Sequence, residues 1–130
     1  ETGKQAMAKA MLEGIAHRVA DVLEAMSQSS PHPMTILRVD GGLTDNPYLM
    51  QYQADLLGIP VEVQGRKETT ALGVGYMLGE ACGWWTTERL RRNTDAARTY
   101  FPDLSASDRE KARTTWKNIM DHMMDMYRIL

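Results

Sequence analysis

Helical and extended periods alternate along the chain. Met7, Met11, Ile15, Val19, Val22, Leu23 and Met26 recur every three or four residues, the spacing that lines one side of a helix from about Gln5 to Met26. Lys9, Glu13, Arg18 and Asp21 form its polar side, and Ser27 to Pro33 ends it, because the residue before each proline is pushed out of the helical region. Thr35 to Val39 reads as a short buried or half-buried strand, with Asp40 at its C-terminal end. Asp45 or Asn46 then caps a second helix, Pro47 suits its first position, and Gly58 supplies a left-handed cap at its end. Ile59 to Val63 reads as a second strand, placed at a sheet edge by Pro60.

Thr69 or Thr70 opens a third helix running to about Cys82. Ala71, Gly75, Gly79 and Gly83 fall four residues apart on it and leave one face almost bare. Each helical glycine costs about 1 kcal/mol against alanine, so a close neighbour is expected there. Trp84 to Leu104 is mixed, and its basic cluster Arg89 to Arg92 reads as a solvated face. Ser107-Asp108-Arg109-Glu110 reads as the capping box of a last helix with the apolar stripe Trp116, Ile119, Met120, Met123 and Tyr127. Its methionines, Met124 and Met126 included, read as a core or docking face.

Composition narrows the function classes. The 130 residues, 43% hydrophobic and 25% charged, fit one globular unit. A net charge of -2 gives no basic field for nucleic acid or anionic lipid. One cysteine excludes an internal disulfide or a multi-cysteine zinc site, and Cys82 at the negative end of its helix reads as packing rather than as a thiolate. His17, His32 and His122 have no ligand spacing, so no protein-bound metal is expected. No apolar run approaches the roughly 18 residues that span a bilayer, and the chain opens on Glu1, so the reading is a cut or processed chain in the cytoplasm.

The glycine pair carries the candidate chemistry. Asp40-Gly41-Gly42 stands between a strand and a capped helix, where backbone can approach an anion or nucleotide unobstructed; a tight turn needing positive φ is the simpler reading of the pair alone. Order changes the balance. Asp40-Gly41-Gly42 with Asn46, then Ala54-Asp55-Leu56-Leu57-Gly58-Ile59-Pro60-Val61, then Glu68-Thr69-Thr70-Ala71-Leu72-Gly73, together resemble the C-terminal domain of the FGGY carbohydrate kinases. Ala10 to Ala16 and the pair Trp116-Lys117 extend the resemblance over nearly the whole chain, and it points toward the members that act on glycerol.

The resemblance implies an α/β fold, part of an actin-like, ribonuclease-H-like ATPase domain, with residues 1–130 forming the C-terminal portion of the nucleotide-binding domain. It implies ATP, with magnesium carried by ATP and no metal ligand in this chain, and phosphate transfer to a polyol. Gly42 and Asn46 would line the adenosine site and Gly41 would allow the turn, with no catalytic residue assigned. The expected partners are the nucleotide, the polyol and the rest of a kinase chain, in a homo-oligomer when full-length. Alone, the chain would be inactive and poorly stable, since two short strands do not complete a sheet. The competing class is a stand-alone, non-catalytic nucleotide-binding or interaction module.

Overall fold

The computed structural model describes residues 3–65, 69–86, 88 and 96–128. Arg89 to Arg92 and Glu68 lie outside the described residues. Helix α1 (Lys4–Ser29) leads to strand β1 (Leu37–Val39), a 3-10 turn (Gly42–Asp45) and helix α2 (Pro47–Leu57). Strand β2 (Val61–Gln64), helix α3 (Thr69–Ala81), strand β3 (Ala96–Tyr100) and helix α4 (Ala106–Arg128) follow.

Among the described residues three strands, rather than the two expected, form one sheet in the order β1-β2-β3. β1 and β2 run parallel with Leu37 opposite Val61, and β3 is antiparallel to β2 with Val61 opposite Tyr100. β2 is therefore central, not at the edge. Pro60 stands just before β2, so its missing N–H costs no ladder bond, and its carbonyl accepts from Leu37 N at 2.9 Å.

α2 is built as its sequence dictates. Asn46 Oδ1 accepts from Leu49 N at 3.1 Å, Pro47 occupies the first turn, and Gly58 closes the helix at φ 67°. Its apolar side fills the core, a cluster of Ala16, Leu49, Met50, Ala54, Leu56 and Val61 edged by Leu37, Val39, Val63 and Tyr100. On its opposite margin Asp55 Oδ1 accepts from Asp103 N at 2.8 Å and Leu104 N at 3.3 Å, while Gln51 donates to the Phe101 carbonyl. Asp55 thus fixes the path from β3 into α4.

α1 turns a different face inward than its methionine period suggests. Ala16, His17 and Ala20 are buried, whereas Met7, Met11, Ile15, Val22 and Met26 are exposed. Small alanines let α2 approach closely.

α4 starts two residues before the expected box. Ser105 Oγ accepts from Asp108 N at 3.1 Å and donates to Asp108 Oδ2, so Ser105 is the cap and Asp108 its reciprocal acid. α4 buries no residue fully. Polar anchors hold it instead. Trp116 Nε1 donates to Asp21 at 3.0 Å, Lys117 to Glu24 at 2.7 Å, and Arg113 reaches both acids. Of its apolar stripe, Trp116 and Met120 are half-buried, while Ile119, Met123, Met124, Met126 and Tyr127 are exposed.

Among the described residues the glycine face of α3 is covered at Gly79, where a Cβ would lie 2.1 Å from Trp85 Cζ2, and Gly75 has nothing within 4 Å. Cys82 is exposed, not packed.

Candidate functional site

The backbone requires glycine at one position of the pair and not at the other. Gly41 sits at φ 100°, a conformation that side chains rarely adopt. Its carbonyl accepts from Thr44 N at 3.0 Å and from Thr44 Oγ1 at 2.7 Å, which locks the 3-10 turn onto the end of β1. Gly42 has no positive φ, and a Cβ built on it meets nothing within 4 Å. Nothing in the described chain requires glycine at position 42.

The turn brings Asn46 back toward the pair. Asn46 N donates to Leu43 O at 3.2 Å, closing the turn, and the side chain then caps α2. Capping uses Oδ1, which leaves the side-chain N–H2 as the group with no hydrogen-bond partner among the described residues. Gly41, Gly42 and Asn46 therefore share one turn, with Asp40 and Leu43 exposed beside them. The glycines precede the 3-10 turn rather than α2 itself, a difference from the expected direct passage into a capped helix.

The same margin of the sheet carries groups that the sequence did not bring together. β3 runs antiparallel, so its start lies beside the end of β2, and Arg98 pairs with Val63, which in turn pairs with Val39. Arg98 donates to Tyr100 Oη at 3.1 Å, which with the nearby Asp45 charge raises its pKa. No local signal in Ala96 to Tyr100 announces this, because the pairing is with β2.

Next to the turn, Tyr48 donates to Glu13 of α1 and stacks on Tyr52 at a 6.0 Å centroid separation. Burial and the Glu13 carboxylate push the Tyr48 hydroxyl far above its ordinary range. Tyr52 Oη meets His17 Nε2 at 3.2 Å, and His17 stacks on Trp116 at 4.9 Å. Arg113 Nη1 approaches His17 Nδ1 at 3.3 Å; a guanidinium only donates, so Nδ1 accepts and Nε2 carries the hydrogen toward Tyr52. Burial and then the Arg113 cation lower the His17 pKa, which keeps the ring neutral. This chain of contacts links the candidate site to α4 and leaves His17 no metal-binding nitrogen.

A cleft of about 330 Å3 lies at the other end of α2, lined by Leu23, Pro33, Met34, Leu56, Leu57 and Ile59. Its charged walls, Glu24 and Arg113, bond each other at 3.0 Å. It offers a ligand little polar recognition.

Comparison with known proteins gives the family of the chain. Residues 1–82 match the FGGY family of carbohydrate kinases, C-terminal domain. Glycerol kinase of Pseudomonas fluorescens is 44% identical over 121 residues, covering 92% of this chain and 24% of the relative. Glycerol kinase of Caldanaerobacter subterraneus is 42% identical over 117 residues, covering 89% of this chain and 24% of the relative. Among solved structures, Plasmodium falciparum glycerol kinase with ADP superposes with a TM-score of 0.76 at 27% identity, covering 90% of this chain and 24% of that one. A xylulose kinase from Brucella ovis gives 0.81 at 24% identity over 97% of this chain and 26% of that one, a likeness of fold. The chain spans about a quarter of the length of these relatives. On this match and the actin-like ATPase fold it shares with its neighbours, the chain belongs to the FGGY family of carbohydrate kinases, as its C-terminal domain.

Proposed function

We propose that the chain is the adenosine-binding C-terminal part of an ATP-dependent polyol kinase, with glycerol as the polyol and ADP and glycerol 3-phosphate as products. The observation that supports this is the turn at the end of β1: among the described residues nothing lies within 4 Å of a Cβ built on Gly42, so its backbone stands open to a ligand beside Asn46. A nucleotide can rest on that backbone. The glycerol kinase relatives, one of them solved with ADP, supply the chemical class.

Each residue then has a task. Gly41 makes the turn, Gly42 lets the adenosine lie against backbone, and Asn46 has its unpartnered side-chain N–H2 to donate to a ring nitrogen or ribose oxygen. Among the described residues, no cluster of three His, Cys, Asp or Glu side chains fits a metal, so magnesium would accompany ATP and be held by another part of the enzyme. Phosphoryl transfer also needs an oriented hydroxyl and phosphate clamps, which are assigned to the rest of the kinase, so on this reading the chain is inactive alone. Among the described residues no helix is long and apolar enough to cross a membrane, and the cytoplasm is the proposed location.

In the complete kinase, Gly42→Val should raise the KM for ATP at least tenfold and leave the KM for glycerol within twofold. An unchanged ATP KM would remove Gly42 from the site.

A further inference from the structure

The fold brings Arg98 to the end of the sheet that carries the Gly41–Asn46 turn. Arg98 pairs with Val63, and Val63 with Val39, the last residue of β1. Residues opposite each other in a ladder share a face, and Val39 and Val63 pack on the core beneath α2, so Arg98 extends the face that α2 covers. Two strand spacings, about 10 Å, separate it from β1. The Asp45 carboxylate, one residue before Asn46, acts on the guanidinium across that gap.

Arg98 is exposed and held at one point. It donates to Tyr100 Oη at 3.1 Å, and Tyr100 packs at the edge of the core, so the guanidinium is oriented while its other N–H donors find no partner among the described residues. A cation on an edge strand discourages pairing with a foreign sheet, and that role asks for charge alone. The bond to Tyr100 adds an orientation that such a role does not need.

A nucleotide has a neutral end and an anionic end. Asp40 and Asp45 are exposed at the turn and disfavour phosphate beside it, and the phosphate clamps are assigned to the rest of the kinase. The base is therefore the end that faces β3. We infer that the Arg98 guanidinium lies against the adenine of bound ATP, a planar cation on a π face, with Tyr100 holding it in place. Arg98 is then a base-contacting residue and not a phosphate clamp. This inference rests on the reading of the turn as the adenosine site.

The test uses a chimera in which this chain replaces the C-terminal quarter of Pseudomonas fluorescens glycerol kinase. Equilibrium binding of ATP, ADP, adenosine and glycerol is measured for the parent, Arg98→Gln, Arg98→Lys and Gly42→Val. Arg98 is exposed, so its substitution opens no core. Arg98→Gln and Arg98→Lys should each weaken ATP, ADP and adenosine by the same factor, about fivefold, and leave glycerol unchanged. A loss confined to ATP and ADP would overturn the inference in favour of a phosphate contact. Full affinity in Arg98→Lys would overturn it too, since charge without the plane would then suffice. Unchanged binding in Arg98→Gln beside weakened binding in Gly42→Val would strike out Arg98 alone, whereas a folded parent that binds no nucleotide would take the kinase reading with it.

Discussion

Replacing Arg113 should detach α4. The guanidinium is 13% exposed and donates at 2.7 Å to Asp21, at 3.1 Å to the His17 carbonyl and at 3.0 Å to Glu24. A charge-assisted bond at a partly buried site contributes about 2 kcal/mol and the carbonyl bond about 1 kcal/mol. Glu24 is 45% exposed, so its share is taken as near zero. Arg113→Met should therefore cost about 3 kcal/mol in local opening, roughly 100- to 200-fold faster amide exchange through α4. The assay is hydrogen exchange of the α4 peptides in the chimera with Pseudomonas fluorescens glycerol kinase. Lys117→Met is the control: it removes a bond to the same Glu24 from a side chain 51% exposed, so the change should stay under about fivefold. Exchange within fivefold of the parent for Arg113→Met would refute the reasoning.

The same network sets a pH dependence. The His17 pKa is lowered from 6.5, so the opened chain takes up the proton first. Its contribution is complete above about pH 6.5 and is lost as pH falls from there toward the folded value. Burial raises the Asp21 pKa, but hydrogen bonds from Trp116 and Arg113 outweigh it, and Lys117 then Arg113 lower that of Glu24. Those contributions hold above the unfolded values of 3.8 and 4.5 and fail as pH falls through the depressed ones. Both effects have the same sign, so α4 exchange should accelerate relative to its intrinsic rate between pH 7 and 5.5, and His17→Gln should flatten that slope.

Four further outcomes are expected. Gly58→Ala puts a Cβ 1.7 Å from Arg109 Nη1 at φ 67°, so it should lose about 1 to 2 kcal/mol for the backbone plus the displacement of Arg109; adding Arg109→Ala should recover the second part in a urea titration. Gly79→Ala should expel Trp85 from α3, break its 3.0 Å bond to the Tyr76 carbonyl and red-shift tryptophan emission, while Gly75→Ala should stabilise α3 of the 130-residue chain by about 1 kcal/mol. The 130-residue chain, with its bare α1 stripe and β1 edge, should melt broadly, and a sharp cooperative monomer transition by calorimetry would contradict that.

Local chemistry made the helices and their caps readable. Asn46, Pro47 and Gly58 act within four residues of their own positions, and each does in the structure what its side chain or lack of one suggests. β3 was not readable, since Ala-Ala-Arg-Thr-Tyr becomes a strand through pairing with β2 more than thirty positions earlier. The α4 cap was misplaced because Ser105 and Ser107 each precede an acid by three residues; Asp55, holding the amides of Asp103 and Leu104, selects the earlier one. The α1 period was right and its direction wrong. Both sides of α1 are apolar, and sequence alone does not say which side meets α2. Of the site, the Gly41 turn and the Asn46 cap were legible, while Arg98 and the Tyr48–Glu13 contact depend on elements brought together only in the fold.

The most direct test of the central claim is ATP-dependent phosphorylation of glycerol by the same chimera, measured beside Pseudomonas fluorescens glycerol kinase cut back to its first three quarters. The account predicts turnover in the chimera with saturation by ATP, and none in the truncated enzyme. A folded chimera that binds glycerol but neither binds ATP nor turns over would contradict it.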